Sequence, residues 1–325
     1  MGRHQAGQVI SVATEQWRSY VHGMTERQSA GALIAAGVTV LFWSSAFVSI
    51  RSAGASYSPG ALAFGRLATA AVLLGAFALV RRVGWPDRRA WPGILTSGLL
   101  WFAGYMVFLN WGERLVDAGT AALIVNVGPI LIALLSAWVL REAAPRSLWL
   151  GIAVSFAGTV VVGLSMSGGG GSSLLGVLLC VLAAVTYAIG VVSQKPALKY
   201  GSALQITTYS ALVAAIALLP FAGLLVHEAA KAPLSATLNV LYLGVGPTAI
   251  AFTTWAYALA RSTASKLGAT TYLVPALVVL MSWLFLGEVP GWLTLAGGAL
   301  CLAGVAVSRR KSVRADSLQT VAVDS

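Results

Sequence analysis

From residue 29 to residue 308 the chain alternates long apolar blocks with short polar breaks, and nearly every charged side chain falls in a break. A helix needs about 20 apolar residues to cross the hydrocarbon of a bilayer. Ten blocks of about that length can be set out, at 29–50, 59–80, 91–111, 118–140, 148–165, 174–194, 203–225, 236–258, 266–286 and 291–308. A soluble fold carries about a quarter charged residues to face water, whereas this chain has 10% charged and 58% hydrophobic ones. Such side chains need lipid as their solvent. The expected fold is therefore an all-α integral membrane protein with ten transmembrane helices.

The net charge of +11 does not point to nucleic acid, because the basic residues flank the apolar blocks instead of forming one amphipathic face. They act as topology signals. With the N-terminus inside, seventeen flanking Lys and Arg residues fall on the cytoplasmic side, and only Arg51, Arg114 and Lys231 fall outside. Positive residues collect on the cytoplasmic side, so both termini are expected there. Residues 1–28 and 309–325 read as cytoplasmic tails, and residues 1–28 lack the apolar core of a signal peptide. Cys180 and Cys301 both lie in apolar spans with no histidine nearby, which suggests neither a disulfide nor a metal.

A Gly/Ser run at 166–173 divides the chain into 29–165 and 174–308, and the two parts resemble each other. At an offset of 144, Trp43 matches Tyr187, Arg51 matches Lys195, Phe108 matches Phe252, Trp111 matches Trp255 and Leu115 matches Leu259. Later the offset is 146: Pro129 matches Pro275, Ser136 matches Ser282, Leu140 matches Leu286, Glu142 matches Glu288, Gly151 matches Gly297, and Ala157-Gly158 matches Ala303-Gly304. Paired Pro, Glu, Trp and Gly at a steady offset indicate an internal duplication. Each repeat has five spans, an odd number, so the second enters the membrane from the opposite side. Two inverted five-helix repeats have a pseudo-two-fold axis in the membrane plane, and rocking about it exposes a central site to each side in turn.

Trp43-Ser44-Ser45-Ala46-Phe47 with Arg51, the pairs Pro129/Glu142 and Pro275/Glu288, and Leu241 to Ala258 followed by Arg261 resemble the repeat pattern of ten-helix, EamA-type drug/metabolite transporters. The likeness covers about residues 29–310. It implies a bacterial inner-membrane carrier, commonly an exporter of amino acids or other small metabolites. The first four helices of each half would line the cavity, and the fifth and tenth would support packing or association.

Arg66 is the charge that stands clearly inside a span, seven residues into the second one. At 1.5 Å per residue that is roughly 10 Å from the helix end. A buried guanidinium needs a cavity or a partner. It suits two roles, gripping a carboxylate bidentately or holding neighbouring carbonyls in place. Asn126 and Tyr272 each stand three residues before the proline of their half, and Pro129 and Pro275, taken as mid-helix prolines, mark the fourth and ninth spans as cavity walls or gating points. Trp43, Trp101, Phe102, Tyr105, Tyr187, Trp255 and Tyr257 offer aromatic surface to a substrate, although aromatics near span ends also serve as interface anchors. The expected substrate-binding set is Trp43, Arg66, Asn126, Tyr187, Trp255 and Tyr272.

Glu142 and Glu288 sit at span ends and suit helix capping or pairing with a basic neighbour. The small-residue runs Gly151 to Gly158 and Gly297 to Gly304 suit close helix packing, or a homodimer face. No Asp, Glu or His lies deep in a span, and His4, His22 and His227 lie outside the spans, which argues against an intramembrane enzyme. The same absence favours facilitated diffusion or exchange over proton coupling through a buried carboxylate. No cofactor is implied; the expected partners are a small-molecule substrate and lipid. The competing readings are a multidrug efflux carrier and a receptor or scaffold without transport.

Overall fold

The computed structural model describes residues 30–46, 49–50, 52–115, 124–166, 173–286 and 291–308, and all regular structure among them is helical. The first half contains α1 (Ala30–Ala46), α2 (Pro59–Val80), α3 (Arg88–Gly112), α4 (Gly128–Val139) and α5 (Arg146–Met166). The second contains α6 (Leu174–Ala197), α7 (Ala203–Ala217), α8 (Leu219–Ala229), α9 (Leu234–Ala260), α10 (Ala264–Thr270), α11 (Leu273–Leu286) and α12 (Trp292–Ser308). Residues 1–28, 167–172 and 309–325, with Arg51, Asp117 and Glu288, lie outside the described residues.

Helices α2, α3, α6 and α9 are each long and apolar enough to cross a bilayer, and α7 with α8 forms a further apolar span bent by 56°. Pro220, just past the bend, cannot donate to the helical ladder and presses on the preceding turn. Its repeat counterpart in the straight α2 is Ala76. The spans expected at 118–140 and 266–286 are interrupted. A turn at residues 126–127 precedes α4, and a turn at residues 271–272 separates α10 from α11. Pro129 and Pro275 thus stand in the first turn of a helix, where a missing N–H costs little, and not in mid-helix as the sequence suggested.

Hydrogen bonds tie the helix ends into two faces. On one, where α1 ends and α2 begins, Arg114 Nη2 donates to Tyr57 O at 2.6 Å, the Ser58 N–H donates to Glu228 Oε2 at 2.8 Å, and Tyr57 and Thr237 share a hydroxyl bond of 2.7 Å. On the opposite face, where α6 meets α7, Asp87 N–H donates to Tyr200 O at 3.3 Å and Gln205 Nε2 to Gly84 O at 3.0 Å.

Within lipid, helices associate by close packing and not by exclusion from water. Helices α5 and α12 approach closely along their length. A Cβ on Gly151 would stand 2.5 Å from Gly304 O, and one on Gly158 would stand 2.6 Å from Gly297 O. Both small-residue runs are therefore used against each other inside the chain.

Candidate functional site

Between the halves lies a cavity of about 780 Å3, its mouth included. Its lining runs from Trp43, Trp101 and Tyr187 toward Ile50, Asn110 and Val125, so it occupies the part of the molecule nearer the α1–α2 face. Helices of both halves contribute: Phe252 comes from α9, Thr271 from the break before α11, and Val274 from α11 itself.

Toward the opposite face the cavity is closed by an aromatic layer. Trp43 packs 5.0 Å from Trp255, Trp101 lies 4.7 Å from Phe252, and Phe102 lies 4.3 Å from Phe252. Trp101, Phe102 and Trp255 are fully buried. Aromatic pairs contribute about 0.5–1.5 kcal/mol each beyond their area, so the layer is a cohesive floor. Beyond it, two charges hold the junction of α9 and α10. Lys195 Nζ donates to Leu259 O and Ser262 O at the end of α9. Glu142 Oε2 accepts from the N–H of Ala264, at 2.8 Å, where α10 starts. Each sign suits its helix end. Glu142 therefore caps α10, not the helix that follows it in sequence.

Arg66 is buried in α2 and reaches across to α9. The chain of contacts begins with Pro247, which lacks the N–H that would bond Leu243 O. Residues Gly244–Ile250 accordingly wind as a π-helix, and Thr248 Oγ1 donates to Leu243 O at 2.8 Å. Arg66 Nε in turn donates to Thr248 Oγ1 at 2.6 Å, and Nη2 reaches Pro247 O at 3.4 Å. Among the described residues Nη1 has no bond and no carboxylate pairs with the guanidinium, while Arg66 lines the cavity. Helix α3 carries the matching π segment, Ser97–Tyr105. There the partner from α7 is Ser210, the residue 144 positions after Arg66, and its hydroxyl meets that of Ser97 at 2.9 Å. Uncharged serine makes in one half the cross-helix contact that a guanidinium makes in the other.

The two helix breaks touch. Tyr272 Oη donates to Asn126 O at 3.2 Å, joining residues 146 apart that are repeat counterparts. The cavity lining includes Trp43, Arg66, Asn126, Pro129 and Tyr187. It does not include Trp255, Tyr272 or Pro275, which stand behind the wall, Trp255 and Tyr272 being wholly buried. The indole N–H of Trp43 is buried without a hydrogen-bond partner among the described residues. Sequence reasoning missed Asn110, Phe252 and Thr271 as lining residues. Asn110 had a legible signal, a lone amide in an apolar block; Phe252 and Thr271 had none.

Residues 30–164 and 174–310 each match the EamA-like transporter family. A Streptantibioticus cattleyicolor protein named "Probable terminal-alkyne amino-acid exporter" is 36% identical over 276 residues, covering 85% of this chain and 92% of that protein. A Bacillus subtilis protein named "Uncharacterized transporter YdfC" is 34% identical over 273 residues, covering 84% of this chain and 89% of that one. A solved crystal structure with 25% sequence identity superposes with a TM-score of 0.73, covering 86% of this chain and 96% of its own.

Proposed function

Because the chain belongs to the EamA-like transporter family, whose members are membrane transporters and not enzymes, we propose that it exports small organic metabolites, amino acids or close relatives first among them. The carrier sits in the bacterial inner membrane with ten spans and both termini cytoplasmic, an orientation supported by the distribution of Lys and Arg. It works by alternating access, as facilitated diffusion or exchange.

One observation carries the substrate class. The cavity between the halves is lined by Arg66, whose guanidinium pairs with no carboxylate, and by Trp43 and Tyr187 beside it, and among the described residues its lining has no Asp or Glu. A guanidinium without a built-in counter-ion suits a carboxylate, since its planar fork matches that group. The aromatic walls suit the apolar remainder of a zwitterion. Those walls also favour hydrophobic drugs as a second reading. The name of the Streptantibioticus relative suggests propargylglycine, a terminal-alkyne amino acid, as the first probe.

The test is growth of bacteria expressing the protein or its Arg66→Ala variant against toxic amino-acid analogues, propargylglycine and hydrophobic drugs, with the medium quantified in parallel. Protection with extracellular accumulation of the amino acids, lost in the variant at equal expression, is the expected result. Protection against the drugs alone would replace the first reading by the second.

A further inference from the structure

We propose that Arg66 is a substrate-operated clasp on α9, with Thr248 as the positioning residue that sets its strength. This rests on the reading of the cavity as a carrier's carboxylate site.

The argument starts from the break in α9. Pro247 leaves Leu243 O without its usual donor; in the π ladder the Thr248 N–H takes that place, and Thr248 Oγ1 adds a second bond. A hydroxyl that donates in one direction still accepts in another, and Thr248 accepts from Arg66 Nε. The guanidinium therefore stabilises the π segment only through Thr248 and the long 3.4 Å contact to Pro247 O. Two glycines make the join tight. A Cβ on Gly244 would stand 2.8 Å from Arg66 O, and one on Gly246 would stand 2.6 Å from the Phe42 ring. Wide turns of this kind recur at functional sites.

Packing alone does not call for a charge here. At the repeat-related crossing of α7 with α3, Ser210 and Ser97 make the join with two hydroxyls. A buried guanidinium is costly in a membrane, so its use in one half and not the other points to a second duty. Its Nε and Nη2 face α9, while Nη1 is without a described partner in a residue that lines the cavity. A carboxylate arriving in the cavity offers the guanidinium a stronger, charge-assisted pair than a hydroxyl and a distant carbonyl do. The side chain turns toward the substrate, the clasp on residues 247–248 opens, and α9 is free to move against α2. A ligand shifts a conformational equilibrium only by the difference in its affinity for the two states. Trading the clasp for the substrate is that difference.

A merely structural Thr248 and a clasp differ in the sign of one effect. In Thr248→Val the guanidinium loses its near partner on α9 and keeps only the 3.4 Å contact to Pro247 O. Propargylglycine then binds more tightly, by about tenfold for one charge-assisted hydrogen bond no longer in competition, while its efflux slows. Thr248→Ser restores both. Binding is read by calorimetry on purified protein, with but-3-ynylamine, which lacks the carboxylate, as the comparison. Hydrogen exchange over residues 244–251 reads the clasp without any substrate: protection falls in Thr248→Val, and falls in the unmodified protein when propargylglycine is added. Should the valine variant not accumulate in the membrane, Thr248→Ala carries the same test, because it removes the same hydroxyl from Arg66 Nε and alanine favours the helix.

Weaker or unchanged binding in both variants, with unchanged exchange, overturns the clasp. Failure of the unmodified protein to bind propargylglycine, with the exchange difference between variants intact, overturns the substrate reading and with it the trigger. The two failures are told apart by the substrate-free measurement.

Discussion

Ser155 and Cys301 stand 146 residues apart and bond to each other in both directions: Ser155 Oγ donates to Cys301 O at 3.1 Å, and Cys301 Sγ donates to Ser155 O at 3.5 Å. Because 146 is also the offset between the later parts of the two repeats, each residue touches its own counterpart. That arrangement arises where a pseudo-two-fold axis passes between two elements. The glycines on either side obey the same rule, Gly151 meeting Gly304 as Gly297 meets Gly158. The duplication inferred from sequence is thus expressed as a crossing of α5 with α12.

Symmetry makes this crossing a matched pair of experiments. Gly158→Ala and Gly304→Ala each force a Cβ into backbone of the facing helix. Each is expected to cost about 1–3 kcal/mol, the range for overpacking. Gly37→Ala in α1, which would meet nothing within 4 Å, is the control and is expected to be neutral or stabilising by up to about 1 kcal/mol through helix propensity. Thermal unfolding in detergent gives the ranking. A Gly304→Ala protein as stable as Gly37→Ala would mean that the two helices do not approach as described.

Trp43 and Trp255 separate a lining residue from its support. Trp255 is fully buried with its indole N–H unpartnered, so Trp255→Phe loses volume but no hydrogen bond. It is expected to cost about 1–2 kcal/mol of stability and to leave affinity for propargylglycine near that of the parent. Trp43 lines the cavity, and Trp43→Phe removes a buried, unpartnered N–H that a small turn of the ring would bring to a carboxylate. A net loss of about 1.5 kcal/mol, the lower end for a bond to a charged group, is about tenfold in affinity. Equal effects of the two substitutions on binding would contradict this division.

What could be read in the sequence was set by period and by rarity. The apolar blocks revealed the helices, and the paired Pro, Glu and Gly residues revealed the duplication, because both signals run along the chain. Arg66 stood out as a charge where charge is costly. Its partners did not stand out, since Thr248 and Pro247 lie 182 and 181 residues away, a join made by tertiary packing alone. Trp255 was indistinguishable from a lining residue for the same reason. Three positions after Phe252 it shares nearly the same helix face, and only the neighbouring Trp43 and Trp101 decide which ring meets the cavity. Pro129 and Pro275 were recognised, but their meaning changed once the turns at 126–127 and 271–272 placed them at helix starts.

Energy coupling can be tested through the lining of the cavity, which contains no Asp, Glu or His among the described residues. Protons that drive a carrier need a titratable group whose protonation competes with substrate. In proteoliposomes, propargylglycine is therefore expected to equilibrate and to exchange across the membrane at a rate indifferent to an imposed pH gradient. Accumulation against its own gradient when the pH gradient is applied would sink facilitated diffusion and direct attention to acids outside the lining.

The junction of α9 and α10 supplies the last prediction. Lys195 binds the carbonyls that end α9, Glu142 binds the amides that begin α10, and the two come from different parts of the chain, the end of α6 and the connection after α4. A charge at each side of one turn holds it more firmly than either alone, because both helix ends would otherwise fray. Lys195→Met keeps the apolar stem and removes the ammonium. Each hydrogen bond to a charged group contributes about 1.5–3 kcal/mol, so exchange of the amides at 258–266 is expected to accelerate by about tenfold or more. Glu142→Gln retains an acceptor and should show a smaller rise over the same residues. Because this turn closes the face opposite the cavity, thiol reagents applied from that face should reach a cysteine placed at Ala258 faster in the Lys195→Met background. Unchanged exchange and unchanged thiol access would show that the aromatic floor closes this face without help from the two charges.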